Sequence, residues 1–120
     1  MGVAYNYTGV IDEARGNYTE AYKKYTLALK ILQPTGYAEG IADAYANMGN
    51  INHRQGNYAE ALNTWYLLLK MTEKTGDKYR IDLAYNNIGL INRGMGIYPE
   101  ALKNYRIALK INTERGDKHE

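Results

Sequence analysis

The chain contains no cysteine, no serine and no phenylalanine. Without cysteine there are no disulfides and no thiolate metal sites, which fits either redox compartment. Without cysteine and serine the commonest acyl-transfer nucleophiles are gone. Neither sign of charge dominates: 15 basic residues stand against 13 acidic ones, a net +2, and they are interleaved. Charge therefore favours neither a nucleic acid nor a membrane surface as partner. No apolar run reaches the roughly 18 residues of a membrane span. Met1-Gly2-Val3-Ala4-Tyr5 lacks the charged and apolar regions of a signal peptide, so a cytoplasmic location is expected. Asn6 stands where myristoylation needs Ser or Thr. Asn6-Tyr7-Thr8 and Asn17-Tyr18-Thr19 fit the glycosylation pattern but, with no secretion signal, read as chance matches.

What is present is a forty-residue unit written three times, over residues 1–40, 41–80 and 81–120. Tyr5, Tyr45 and Tyr85 recur at that spacing, as do Gly9, Gly49 and Gly89, and Ile11, Ile51 and Ile91. Gly16, Gly56 and Gly96 follow, then Tyr18, Tyr58 and Tyr98, Ala21, Ala61 and Ala101, and Leu29, Leu69 and Leu109. A period of this size marks a stacked repeat, in which one unit cannot bury its apolar face alone. The 120 residues fit one domain, and 45% apolar content is enough for a packed core. Stacked repeats mostly bind other molecules along an extended surface.

Within the third copy, Ile81, Ala84, Tyr85 and Ile88 fall at i, i+3, i+4 and i+7, one face of an α-helix. Asp77 is placed to cap its start, so a helix is predicted from Lys78 to Arg93. Gly94-Met95-Gly96 breaks it. Tyr98, Ala101, Leu102, Tyr105, Ala108 and Leu109 then mark a second helix, with Pro99 in its first turn and Gly116 as its C′ residue. The second copy repeats the plan with Ile41, Ala44, Tyr45 and Met48, then Ala61, Leu62, Trp65, Leu68 and Leu69. Asn17 with Glu20, and Asn57 with Glu60, have the spacing of a capping box; the third copy has Ile97 there. Pro34 is compatible with the end of a helix. The prediction is an all-α fold of six antiparallel helices, alternating A and B in three hairpins. Gly49 inside a helix A costs about 1 kcal/mol relative to Ala, so its recurrence implies close A–B packing, with small Ala61 opposite.

The order Tyr45, Met48-Gly49, Gly56-Asn57-Tyr58, Glu60-Ala61, Trp65 and Leu68-Leu69 resembles a tetratricopeptide repeat, and the other copies match in their own registers. The unit is longer than the usual 34 or so residues and is similar to the extended repeats of the kinesin light chain and Leu-Gly-Asn type. The closing Pro is replaced by Glu73 and Thr113, and Asp12, Asn52 and Asn92 stand where a Tyr is common. The resemblance implies a right-handed α-solenoid of three helix-turn-helix hairpins, with helices A on a concave face that holds a peptide or a partner helix. It also implies a protein-interaction scaffold, no catalysis and no cofactor. The basic clamp of chaperone-binding members would fall on Asn6, Val10, Asn47, Leu83 and Asn87, where no cation stands. Capture of a C-terminal carboxylate is therefore not expected.

Site residues follow from the helix A faces. Opposite the Tyr/Met/Gly face lie Asn6, Tyr7, Val10 and Glu13; Asp43, Asn47, Asn50 and Arg54; and Leu83, Asn87, Leu90 and Arg93. The candidate groove residues are Asn6, Asn47, Asn50, Arg54, Asn87 and Arg93. Asn both donates and accepts, so it can pair with any peptide backbone, while the two Arg suit an acidic side chain. Asn47 and Asn87 are one period apart and should stack in register. The histidines, His53 and His119, lack the partners of a metal or catalytic site, Gly94-Met95-Gly96 lacks the context of a phosphate loop, and most Tyr sit at framework positions rather than on a base-stacking surface. Nucleic acid is not expected as partner. A second reading stays open: a fragment of a longer array, or an engineered repeat, self-associating head to tail through Ile107, Ala108 and Ile111 at one end and Val3, Tyr7 and Val10 at the other.

Overall fold

The computed structural model describes residues 1–117; His119 lies outside them. Six α-helices follow one another: α1 (Gly2–Ala14), α2 (Tyr18–Leu32), α3 (Ala38–Arg54), α4 (Tyr58–Thr75), α5 (Lys78–Gly94) and α6 (Tyr98–Asp117), with a 3-10 turn at Gln33–Thr35. No strand occurs among the described residues. This is the all-α helical repeat that the periodicity predicts. The chain forms two compact units, Met1–Thr64 and Trp65–Glu120, the division falling inside α4.

The helix A to helix B corners are built from main chain. Gly16 has φ +81°, Gly56 φ +79° and Gly96 φ +79°, the left-handed region that favours glycine. Around each, the two bonds of a Schellman motif close the preceding helix: Gly16 N–H donates to the Glu13 carbonyl at 3.0 Å and Asn17 N–H to the Asp12 carbonyl at 2.8 Å. Gly56 and Asn57 repeat this on His53 and Asn52, and Gly96 and Ile97 on Arg93 and Asn92. Asn17 is at the same time the N-cap residue of α2, yet its side chain makes no capping bond. The capping box expected of Asn17 and Glu20 is not made, because the amide Glu20 would need already points at Asp12; Glu20 lies 3.8 Å from Lys23 instead. Asn57 and Ile97 spend their amides in the same way, so the start with Ile97 is no worse closed than the others. Asp77 does cap α5, accepting from Arg80 N–H at 3.3 Å. Pro34 sits in the 3-10 turn after α2. The other correction concerns Gly116: α6 runs through it to Asp117 rather than ending there.

In the first unit, two core clusters join three helices. Ala28 and Leu32 of α2 meet Ala44 of α3, with Tyr5, Leu29 and Ile41 packed round them. Ala21 and Tyr25 of α2 meet Ile51 of α3, ringed by Tyr18, Tyr22 and Met48. The helix A glycine is explained by close approach. A Cβ on Gly9 would lie 2.6 Å from the Tyr25 ring, and one on Gly89 2.8 Å from the Tyr105 ring and 3.2 Å from the Ala101 carbonyl. The partner in both hairpins is thus chiefly the aromatic of helix B rather than its alanine. In the second unit the buried apolar residues are Trp65, Leu68, Leu69, Ala84, Ile88, Ile91, Ala101 and Ala108. Tyr98, Leu102 and Leu109 share the predicted helical face of α6 but are exposed.

Candidate peptide-binding face

On α3, Asn47, Asn50 and Arg54 are spaced i, i+3 and i+7, a strip about 60° wide at about 100° per residue. Asn47 and Asn50 are half-buried and Arg54 is exposed. Each α3 amide therefore stands partly out of water, where a ligand's polar group strengthens the bond it makes. Neither side chain makes a hydrogen bond among the described residues, unlike the other asparagines of the prediction.

Asn6 does not belong to an open face. It is 7% exposed, and its Nδ2 donates to the Gly40 carbonyl at 3.3 Å, tying α1 to the first turn of α3. Asn87 is half-buried on α5, but its Nδ2 donates to the Leu83 carbonyl of its own helix at 2.8 Å. Its carbonyl oxygen remains to accept. Arg93 is exposed and lies about 120° round α5 from Asn87, so the two do not share a strip. The helix geometry thus groups Asn47, Asn50 and Arg54, and leaves Asn6, Asn87 and Arg93 in other settings.

Arg54 is engaged on the protein itself. Its Nε lies 3.7 Å from a Glu13 carboxylate oxygen, and the other oxygen of Glu13 accepts from the Tyr25 hydroxyl at 2.8 Å. Hydrogen bonding with Tyr18, and then the charge of Glu13, holds the guanidinium protonated more firmly than usual. Burial first, and the Glu13 bond second, push the Tyr25 phenol well above its ordinary range. A chain of three side chains, Tyr25–Glu13–Arg54, thus links the ends of α1 and α3 to α2. Glu13 was expected on a ligand face; it is instead the hub of this network. His53 stacks obliquely on Tyr58, ring centres 5.9 Å apart. No cluster of His, Cys, Asp and Glu suited to a metal ion occurs among the described residues. No helix among them is long and apolar enough to cross a membrane.

A polar pairing inside the hairpins escaped the sequence reading. Asp12 forms an ion pair with Lys24, and Asn104 Nδ2 donates to the Asn92 carbonyl oxygen at 2.9 Å. These replace the common Tyr of the repeat with a polar bond from helix A to helix B. The signal was available as complementary residues twelve apart, the same interval as Glu13 to Tyr25.

The sequence profile described as Tetratricopeptide repeat matches residues 1–74. No curated protein matches the chain in sequence. Among solved structures, the TPR domain of Arabidopsis FLU superposes with a TM-score of 0.84 at 22% identity, covering 91% of this chain and 92% of that one. The N-terminal domain of stress-induced protein-1 (STI-1) from C. elegans superposes with a TM-score of 0.76 at 16% identity, covering 92% of this chain and 83% of that one. At such identities the likeness speaks for fold alone, and the profile match carries the family. With its corner glycines, small helix-B alanines and helix-A glycines, the chain belongs to the tetratricopeptide repeat family.

Proposed function

We propose that this chain is a protein-interaction scaffold, without catalytic activity, that holds an extended or helical peptide against the Asn47–Asn50–Arg54 strip of α3. Scaffolding of protein partners is the general role of the family. The observation that carries the finer reading is the pair of half-buried α3 amides, Asn47 and Asn50, with no side-chain hydrogen bond among the described residues. They can bond a peptide backbone of any sequence. Because Arg54 already faces Glu13, it shares its charge with a ligand carboxylate rather than offering a bare cation. The preferred ligand carries at least one Asp or Glu and needs no free C-terminus. Peptide display against the chain would supply ligands. Asn47→Ala with Asn50→Ala should weaken a true ligand by about 1–3 kcal/mol for each lost buried amide contact while leaving helicity unchanged. Equal binding by that double variant would place the ligand elsewhere.

A second reading, self-association through the ends, is supported by exposed Val3, Tyr7 and Val10 on α1 and exposed Leu102 and Leu109 on α6. Of the residues expected at the far end, Ile107 and Ile111 are half-buried and Ala108 is buried, so the exposed leucines take their place. Light scattering that stays constant from micromolar to millimolar chain would exclude it.

A further inference from the structure

The α1–α2 and α5–α6 hairpins each pair a polar group of helix A with a side chain twelve residues on: Asp12 with Lys24, and Asn92 with Asn104. The middle hairpin breaks that pattern. Thr64 stands twelve after Asn52, but its hydroxyl donates to the Glu60 carbonyl of its own helix at 2.9 Å. Asn52 is 6% exposed, and its buried Nδ2 has no hydrogen-bond partner among the described residues. A buried donor left unpaired lowers stability, so such a group calls for an explanation.

Asn52 lines a pocket of about 290 Å³, together with Gln55 of the same corner and Tyr18, Thr19, Tyr22 and Lys23 of α2. All six residues lie in the first unit. α1 precedes α2 and α4 follows α3, so the pocket is interior to the array and owes nothing to where the sequence begins or ends. Its chemistry is one-sided. Lys23 brings a cation, Asn52 and Gln55 bring amides, Thr19 brings a hydroxyl, and no carboxylate is among the lining residues. Gln55 is exposed and makes no side-chain hydrogen bond among the described residues. Lys23 lies 3.8 Å from Glu20 with both side chains well exposed, a weak pair that another anion can replace. Tyr18 and Thr19 open α2, whose N-terminus carries partial positive charge. Tyr18 and Tyr22 are half-buried, one turn apart on α2, and add two aromatic rings to the wall.

We propose that this pocket binds a small aromatic monocarboxylate, with the carboxylate held by the Asn52 amide and Lys23 and the ring against Tyr18 and Tyr22. The Asn52 amide turns about a soft terminal torsion, which lets its N–H meet an acceptor in the pocket. A volume of about 290 Å³ is at the lower end for a small-molecule site. It suits one ring with its acid rather than a stretch of chain. Asn52 lies about 170° round α3 from the middle of the Asn47–Asn50–Arg54 strip, so this site is separate from the peptide face.

The test titrates benzoate into the isotope-labelled full chain at constant ionic strength, followed by NMR. Saturable shifts are expected at the Asn52 and Gln55 side-chain amides and at the Tyr18 and Tyr22 rings, with the roughly millimolar affinity of so small a ligand. Asn52→Leu keeps the size of the side chain and removes the donor. It should weaken benzoate about tenfold, while urea unfolding shows stability unchanged or raised because the unpaired group is gone. Lys23→Gln, at an exposed position, should weaken it about threefold. Acetate, which has no ring, and benzamide, which has no charge, should each bind at least about fivefold more weakly than benzoate. Shifts that never saturate overturn the proposal, and so does unchanged affinity in Asn52→Leu. Should that variant fail to fold, unchanged affinity in Lys23→Gln with Gln55→Ala overturns it instead. Acetate binding as tightly as benzoate would reduce the site to a simple anion contact and also sink it. Shifts confined to Asn47, Asn50 and Arg54 would put benzoate on the peptide face, and a blocked phenylalanyl-glutamate peptide that outcompetes benzoate would make the occupant a protein side chain; either result rules the proposal out.

Discussion

The α1–α2 and α5–α6 hairpins share corner glycines, a helix-A glycine under an aromatic ring, and a polar bond from helix A to helix B. They differ in what holds that ring. Tyr25 is fully buried, its hydroxyl bonded to Glu13, which also meets Arg54. Tyr105 is half-buried, its hydroxyl unpaired among the described residues, and Arg93 stands where Glu13 would be. The same backbone plan thus holds a locked aromatic in one hairpin and a loosely held one in the other. A repeat sets the frame, and single polar residues decide how stiff each copy is.

The largest expected effect comes from the helix-A glycines. Gly9→Leu drives side-chain atoms into a ring that cannot yield and should cost about 3 kcal/mol or more, whereas Gly89→Leu meets the freer Tyr105 ring and should cost about 2 kcal/mol. Urea unfolding of both variants measures the gap, and equal losses would mean that the Glu13 bond does not stiffen Tyr25. The polar pairs come next. Asn104→Ala leaves the oxygen of Asn92, itself 4% exposed, without its partner and should cost about 1–2 kcal/mol. Lys24→Ala leaves a carboxylate nearer solvent and should cost less than about 1 kcal/mol. Thermal melts at low and high salt separate them, since only the second effect should shrink with salt.

A smaller contrast lies in the hydroxyls. Tyr25→Phe should lose about 1 kcal/mol, while Tyr105→Phe removes an unpaired buried group and should be neutral or slightly stabilising. A loss at Tyr105 equal to that at Tyr25 would reveal a partner for its hydroxyl in solution. The smallest effect is alkaline. Burial, followed by the Glu13 bond, raises the Tyr25 phenol above its ordinary 10.0; burial, then Glu73 and Tyr66, raises Tyr85. The unfolded chain ionises first, so stability is intact below pH 10 and is lost as pH rises beyond it. Tyr25→Phe should flatten that decline more than Tyr85→Phe, as stability measured from pH 8 to 11 will show.

What was legible in the sequence was whatever is encoded locally and repeated. Helical spacing, the glycine breaks, the Asp77 cap and the tight A–B approach follow from residues within one unit, and three copies make each visible. What stayed hidden depends on partners chosen in three dimensions. Asn6 aligns with Ala46 rather than with Asn47, about 100° away round helix A, and the first turn of α3 covers it, whereas Asn47 is only half-buried. Arg54 reads as a free cation until Glu13, forty-one positions earlier, is seen beside it. The capping box failed for a subtler reason: its spacing is correct, but the main chain of the preceding corner had already taken the amide it needs.

That same corner has a practical side. Asn17, Asn57 and Ile97 close one helix and open the next through backbone atoms alone, and all three side chains are exposed. The position is chemically silent, which is why amide and hydrocarbon occupy it interchangeably. In a chain without cysteine, a single thiol placed there, as in Asn57→Cys, would give a unique attachment point for a fluorophore or spin label at a rigid joint, reporting on neighbouring helices without perturbing either.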